Sequence, residues 1–169
     1  MDKKKGSKAS GNKETYIQLI AFKLGQETFG IRIQQVKEVT LTPTISRVPK
    51  APAFILGVAN IRGDIMAIMD LEKRMGISRK SNLTLQKKPP KYTLVIENED
   101  YSIGLTVEEV PVSVTIATSS IDKAPDIIRE TQINKDYLEG IAKTGNDLLI
   151  ILDINNMLTF KEVQKLASL

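Results

Sequence analysis

The 169-residue chain has no cysteine, no histidine and no tryptophan. Without cysteine there can be neither a disulfide nor a thiolate metal site, which fits a reducing interior. Without histidine the usual general base and the commonest transition-metal ligand are missing, so Cys–His and Ser–His–Asp catalysis are excluded. Long apolar runs are absent too: stretches such as Leu148–Leu152 fall far below the roughly 20 residues of a membrane span. The N-terminus is basic but lacks the apolar segment of a secretion signal, which makes the cytoplasm the expected location. The glycines are single and scattered, so there is no phosphate-cradling loop. Neither a cofactor nor a metal site is expected.

What is present is ordinary for a globular protein, with 41% hydrophobic and 26% charged residues. The net charge of +4 is concentrated, because Lys3, Lys4, Lys5, Lys8 and Lys13 against Asp2 and Glu14 put most of it ahead of Tyr16. Residues 1–15 have too little apolar area to offset their ordering entropy and are expected to form a disordered, solubilising tail. The body that follows is close to neutral, so the basic excess leaves no footprint for nucleic acid on the folded part.

The chain is organised around Ala53–Ile77. Two apolar runs, Phe54–Ile61 and Ile65–Met69, are joined by Arg62-Gly63-Asp64, a short polar joint whose glycine tolerates positive φ, so they read as a hairpin. Asp70 can cap a short helix carrying Leu71 and Met75, and Gly76 can end it in the left-handed region. A shift of 83 residues lays Gly57, Ala59, Asp64, Ile68 and Asp70 on Gly140, Ala142, Asp147, Ile151 and Asp153. The unit repeats. Val58, Ile65, Ile68, Ile141, Leu148 and Ile151 are the expected barrel-core residues of the two copies. Asn60-Ile61-Arg62-Gly63 faces Lys143-Thr144-Gly145-Asn146, so the turn is where the copies diverge.

Alternating Ile17, Leu19 and Ala21, then Phe29, Ile31 and Ile33, predict an opening hairpin that Val36–Val39 continues. Pro43, Pro49 and Pro52 mark a loop. The second half opens with a hairpin over Tyr92–Val107, in which Ile103–Val110 echoes Phe29–Val36 at an offset of 74. The two offsets place about nine extra residues within Ala117–Gln132. A short helix is expected after Asp153, and Thr159–Glu162 forms a capping box for a last helix. The expected organisation is a tail (1–15) and one domain (16–169), with halves 16–78 and 91–160 and a linker 79–91.

Asp64, Asp70, Asp147 and Asp153 invite comparison with paired catalytic carboxylates, but none precedes Ser/Thr-Gly and each sits where a turn or cap needs a short acceptor. No catalytic constellation is present. Arg62 stands apart: a guanidinium at the apex of a tight turn is presented rigidly, as interfaces favour, although an exposed turn residue is the plainer reading.

Ala51–Gly63, followed by Ile68-Met69-Asp70-Leu71, strongly resembles the CheW family of chemotaxis adaptor proteins, with its G-V-x-N-L-R-G stretch running into an apolar strand that ends D-L. Phe29–Val39 resembles the family's Y-G-I-x-I-x-x-V-x-E-I stretch, and Leu138–Ala142 with the strand to Asp153 matches its closing segment. Ile61 stands where leucine is usual and Ala67 where proline is common. The resemblance covers about Tyr16–Leu158.

It implies a mostly β fold of two pseudo-symmetric five-stranded barrels of the Src-homology-3 type, with short helices, a C-terminal helix and strands exchanged between barrels. It implies a free-standing, non-enzymatic adaptor that couples the cytoplasmic tip of methyl-accepting chemoreceptors to the histidine kinase CheA, binding the kinase's own CheW-like domain. No nucleic acid and no membrane insertion are implied. Val36 and Gly57 match positions tied to receptor coupling. Glu38, Ile61 and Arg62 match motif positions, and Glu38 and Arg62 are expected to lie together and organise an assembly surface. A small β-barrel that binds nucleic acid is the alternative, and it requires exposed aromatics for base stacking. A carboxylate-dependent hydrolase is a third reading.

Overall fold

The computed structural model describes residues 13–77, 89–123 and 133–167. The expected tail up to residue 12, most of the linker and most of the nine-residue insertion lie outside the described residues. Among the described residues eleven strands make two sheets. Strands β3 (Val36–Leu41), β4 (Ile55–Ile61), β5 (Asp64–Met69), β6 (Tyr92–Glu97) and β7 (Ser102–Val107) form one, in the order β3-β6-β7-β5-β4. Strands β1 (Tyr16–Leu24), β2 (Glu27–Arg32), β8 (Val112–Ala117), β9 (Ile121–Asp122), β10 (Leu138–Thr144) and β11 (Asp147–Leu152) form the other, in the order β8-β1-β2-β11-β10-β9. Each sheet curls into a barrel that is closed only through the chain following its end strand. The chain beyond β3 bridges β4 at Ser46 and Val58, and β9, which follows β8, pairs with β10. We call these the inner barrel (β3–β7) and the outer barrel.

The sequence halves are not the spatial ones. Hairpin β1–β2 joins the second half through a parallel pairing of Phe29 with Ile150 and Gly30 with Ile151. Hairpin β6–β7 joins the first half through the parallel pairing of Ile68 with Gly104 and Met69 with Leu105. The two exchanges are equivalent in the repeat, glycine against isoleucine in both. A Cβ on Gly104 would lie 2.7 Å from Ile68 Cδ1, and one on Gly30 would lie 3.2 Å from Leu19 Cδ1. Val36–Val39 therefore does not extend the first hairpin as expected. A 3-10 turn at Ile33–Gln35 sends the chain into the inner barrel instead.

Strands buried on both faces read as continuous apolar runs, as in Met66–Met69 and Leu149–Leu152. One face fills a small barrel interior: Ala59, Ile61, Met66, Ile68 and Val95 in the inner barrel, and Leu19, Ala21, Ile116, Ala142, Leu149 and Ile151 in the outer. The other face builds a larger cluster shared by the barrels, including Phe22, Phe29, Leu94, Ile96, Leu105, Ile150 and Leu152. Ile68 and Ile151 occupy the barrel interiors as expected. Ile141 and Leu148 instead pack on the shared cluster, and Val58 is half-buried. Ile65, expected in the core, is 72% exposed because it pairs with Asn60 next to the hairpin tip, beyond the reach of the shared cluster.

The sixth outer strand, the two-residue β9, departs from the expected five; in the inner barrel a single bridge occupies the equivalent place. Helix α1 (Leu71–Met75) starts where Asp70 Oδ1 accepts the Lys73 N–H at 3.2 Å and ends at Gly76 with φ +67°. Its counterpart after Asp153 is only a 3-10 turn, Ile154–Asn156, where Asp153 accepts the Asn156 side-chain amide at 2.9 Å rather than capping the backbone. The capping box of helix α2 (Phe160–Ala167) forms as expected: Glu162 accepts the Thr159 N–H at 2.6 Å and Thr159 Oγ1 accepts the Glu162 N–H at 3.3 Å. Glu162 also binds Arg74 through two bonds of 3.0 Å. Arg74 further donates to the Met157 carbonyl at 2.6 Å and lies 4.5 Å from the Phe54 ring centre, clamping α1 to the C-terminal segment.

Ile68→Ala and Ile151→Ala should each cost roughly 2–5 kcal/mol in denaturant unfolding, because neither small interior can collapse around the lost methyls. Ile65→Ala should change stability little by comparison.

Candidate functional site

The β4–β5 hairpin turns on Arg62 and Gly63 with φ of +53° and +89°, a two-residue primed turn matched to strand twist. Asn60 Oδ1 accepts the Gly63 N–H at 2.9 Å. The equivalent hairpin turns on Gly145, at φ +64°, and Asn146, whose φ is not positive, so there glycine alone takes the left-handed position. The inner barrel thus holds an arginine where its sister has glycine. A side chain in the left-handed region costs about 1–2 kcal/mol, and such strain gathers at functional positions.

Arg62 is 79% exposed, and its Nε donates to Glu38 Oε2 at 2.6 Å. Glu38 is only 18% exposed and sits opposite Val95, at the rim of the barrel interior. The expected proximity of the two is met. Beside them Lys37 donates to Glu97 at 2.6 Å, and that carboxylate raises the Lys37 pKa above its ordinary value. Ile61, expected to help form this surface, is buried in the inner-barrel interior. It offers no surface, and instead anchors the strand end from which Arg62 projects.

Val36 lies on the opposite face of β3. Normally residues three apart in a strand face opposite ways, but a bulge between Val36 and Glu38 resets the phase. Val36, Val39 and Leu41 therefore share one face, opposite Ile96, Leu94 and Tyr92. Val36 packs on the shared cluster, while Val39 and Leu41 are 43% and 66% exposed. An apolar strip thus continues the inter-barrel core onto the surface. Sequence reasoning singled out Val36 but missed Val39 and Leu41, since the bulge that aligns them carries no Gly or Pro signal.

Gly57 is not on that strip. It is buried with φ +153°, and a Cβ there would stand 2.1 Å from the Ser46 carbonyl oxygen. Ser46 and Val58 exchange two backbone hydrogen bonds of 2.8 Å, closing the barrel across this glycine. Gly140 meets the same demand, with a Cβ 2.9 Å from the Asp122 oxygen. Among the described aromatic side chains only Tyr16 is exposed, and Arg32, Lys37, Arg62 and Arg74 are each paired with a glutamate. A stacking platform for nucleic acid is therefore missing from the described residues.

The family model described as CheW-like domain matches residues 18–162, which takes in both barrels. The chain belongs to the CheW-like family. Among its CheW relatives, the chemotaxis protein CheW of Treponema pallidum is 32% identical over 152 residues, covering 90% of this chain and 88% of that protein. The chemotaxis protein CheW of Helicobacter pylori is 29% identical, covering 90% and 87%. The crystal structure of the scaffolding protein TtCheW from Thermoanaerobacter tengcongensis superposes with a TM-score of 0.73 at 30% identity, over 88% of this chain and 91% of that one. The CheW-like fold with two barrels is thus the fold of this chain, and the match runs through the strip, the Arg62 turn and the closing glycines alike.

Gly57→Ala should cost roughly 1–3 kcal/mol by overpacking against Ser46. Hydrogen exchange should localise the loss to Ser46 and Val58; protection there unchanged from wild type would contradict the closure role.

Proposed function

We propose that the chain is a non-enzymatic chemotaxis adaptor that couples the cytoplasmic tips of methyl-accepting chemoreceptors to the histidine kinase CheA. It works in the cytoplasm, recruited to receptor arrays. The observation that carries this reading is the pairing, on one barrel, of an apolar strip with a strained, exposed arginine turn. A helical receptor tip is an amphipathic partner, and such helices are held by burial of their apolar face in a groove. Val36, Val39 and Leu41 supply that surface next to the shared core. Gly57 belongs to receptor coupling indirectly, by holding the loop at Ser46 in place.

Arg62 serves the assembly with receptor and kinase. Its ion pair with Glu38 is mostly in water and is worth only about 0–1 kcal/mol to folding. At the desolvated centre of an interface the same guanidinium is worth about 2 kcal/mol or more. Two of the four aspartates weighed as carboxylate pairs have structural tasks: Asp70 caps α1 and Asp153 holds Asn156. The names of the relatives support chemotaxis as the setting.

Co-sedimentation with receptor and CheA, read alongside kinase activity, tests this. Val36→Lys and the more exposed Leu41→Glu should weaken receptor binding while CheA binding survives. Arg62→Gly relieves the backbone strain, so the melting temperature should hold or rise while receptor-dependent kinase activation falls severalfold; reversing the charge of Glu38 should lower activation likewise. Equal loss of both partners in the Val36 and Leu41 variants, or normal activation by Arg62→Gly, would contradict the assignment.

A further inference from the structure

The duplicated fold provides an internal control for surface residues, because β3 and β8 are equivalent end strands. Each pairs on one side with the first strand of an exchanged hairpin, β6 or β1, and among the described residues no strand pairs along the other side. On β3 Lys37 and Glu38 hold ion pairs. Charges of this kind keep a sheet edge from pairing with another chain. On β8 there are none. From Val110 to Ile121 the sequence has no charged residue, and Val112, Val114, Thr115 and Ile116 are β-branched.

The direction of the free backbone groups follows from the register. Thr118 donates its N–H to the Thr15 carbonyl at 2.9 Å, and Ala117 lies opposite Tyr16 in the antiparallel pair with β1. Backbone groups alternate sides along a strand. Val112, Val114 and Ile116 therefore bond to β1, and Ser113, Thr115 and Ala117 turn their groups outward. The Ala117 carbonyl accepts the Ser120 hydroxyl at 2.7 Å. Ser113 and Thr115, both exposed, present theirs to solvent.

We propose that this edge is a self-association surface, on which two copies of the chain pair β8 with β8 antiparallel about a twofold axis through Val114. In that register Ser113 exchanges both backbone hydrogen bonds with Thr115 of the partner subunit, so the outward groups of one copy meet those of the other. The hydroxyl side chains pair on one face and Val112 lies against Ile116 of the partner subunit on the other, both favourable cross-strand combinations. A second copy is the occupant because an isologous contact sets the same patch against itself. Charge in such a patch repels its own image, and the strand is free of charge over the whole stretch.

Sedimentation velocity of the full chain over a concentration series should show reversible dimerisation. Thr115→Lys and, separately, Ser113→Lys should weaken the dimer by at least about tenfold, with circular dichroism and melting temperature unchanged. Since the chain has no cysteine of its own, register is tested by oxidation: Ser113→Cys mixed with Thr115→Cys should cross-link, and neither should cross-link alone. A chain that stays monomeric up to about millimolar concentration, a dimer insensitive to both lysines, or cross-linking of either variant with itself but not of the mixture would overturn the proposal.

Discussion

The structure depends on the two parallel pairings, β2 with β11 and β5 with β7, through which each half of the chain lends its hairpin to the other. Parallel neighbours cannot be joined by a tight turn. A self-contained half would need a long crossover; exchange between duplicated halves supplies the partner strand instead. The constraint shows in the glycines at Gly30 and Gly104, which sit opposite Ile151 and Ile68. It also explains why the largest apolar cluster lies between the barrels, since strands that cross from one half to the other bury their second face there.

The candidate site inherits this arrangement. Because β3 begins immediately after the exchanged hairpin, Val36 lies where the shared core reaches the surface, and the bulge at Lys37 brings Val39 and Leu41 onto the same face. The clamp from Arg74 to Met157 and Glu162 ties helix α1 to the C-terminal segment at positions that the repeat equates, Arg74 with Met157. The apolar strip and the arginine turn are thus held by one unit rather than by two independent small barrels.

Much of this was legible in the sequence. The 83-residue shift exposed the duplication, the caps at Asp70 and Thr159 fell where short acceptors preceded apolar helical spacing, and Arg62 stood out as a guanidinium at the apex of a tight turn. Other features were not legible, for physical reasons. A hairpin that packs against the other half has the same periodicity as one that packs against its own, so alternation in Ile17–Ile33 could not reveal where it would go. The bulge on β3 hid Val39 and Leu41, and Ile65 looked like core because how far the shared cluster reaches along the hairpin is a tertiary fact. Arg74 finds Glu162 across 88 residues, a contact without local signature.

Fragment complementation tests the exchange most directly. Residues 1–84 and 85–169 each contain one exchanged hairpin and the remaining strands of the opposite barrel. Circular dichroism and heteronuclear spectra should show each fragment unfolded alone, and their equimolar mixture should regain the dispersed spectrum of the intact chain. A fragment that folds cooperatively by itself, unaffected by its complement, would contradict the account.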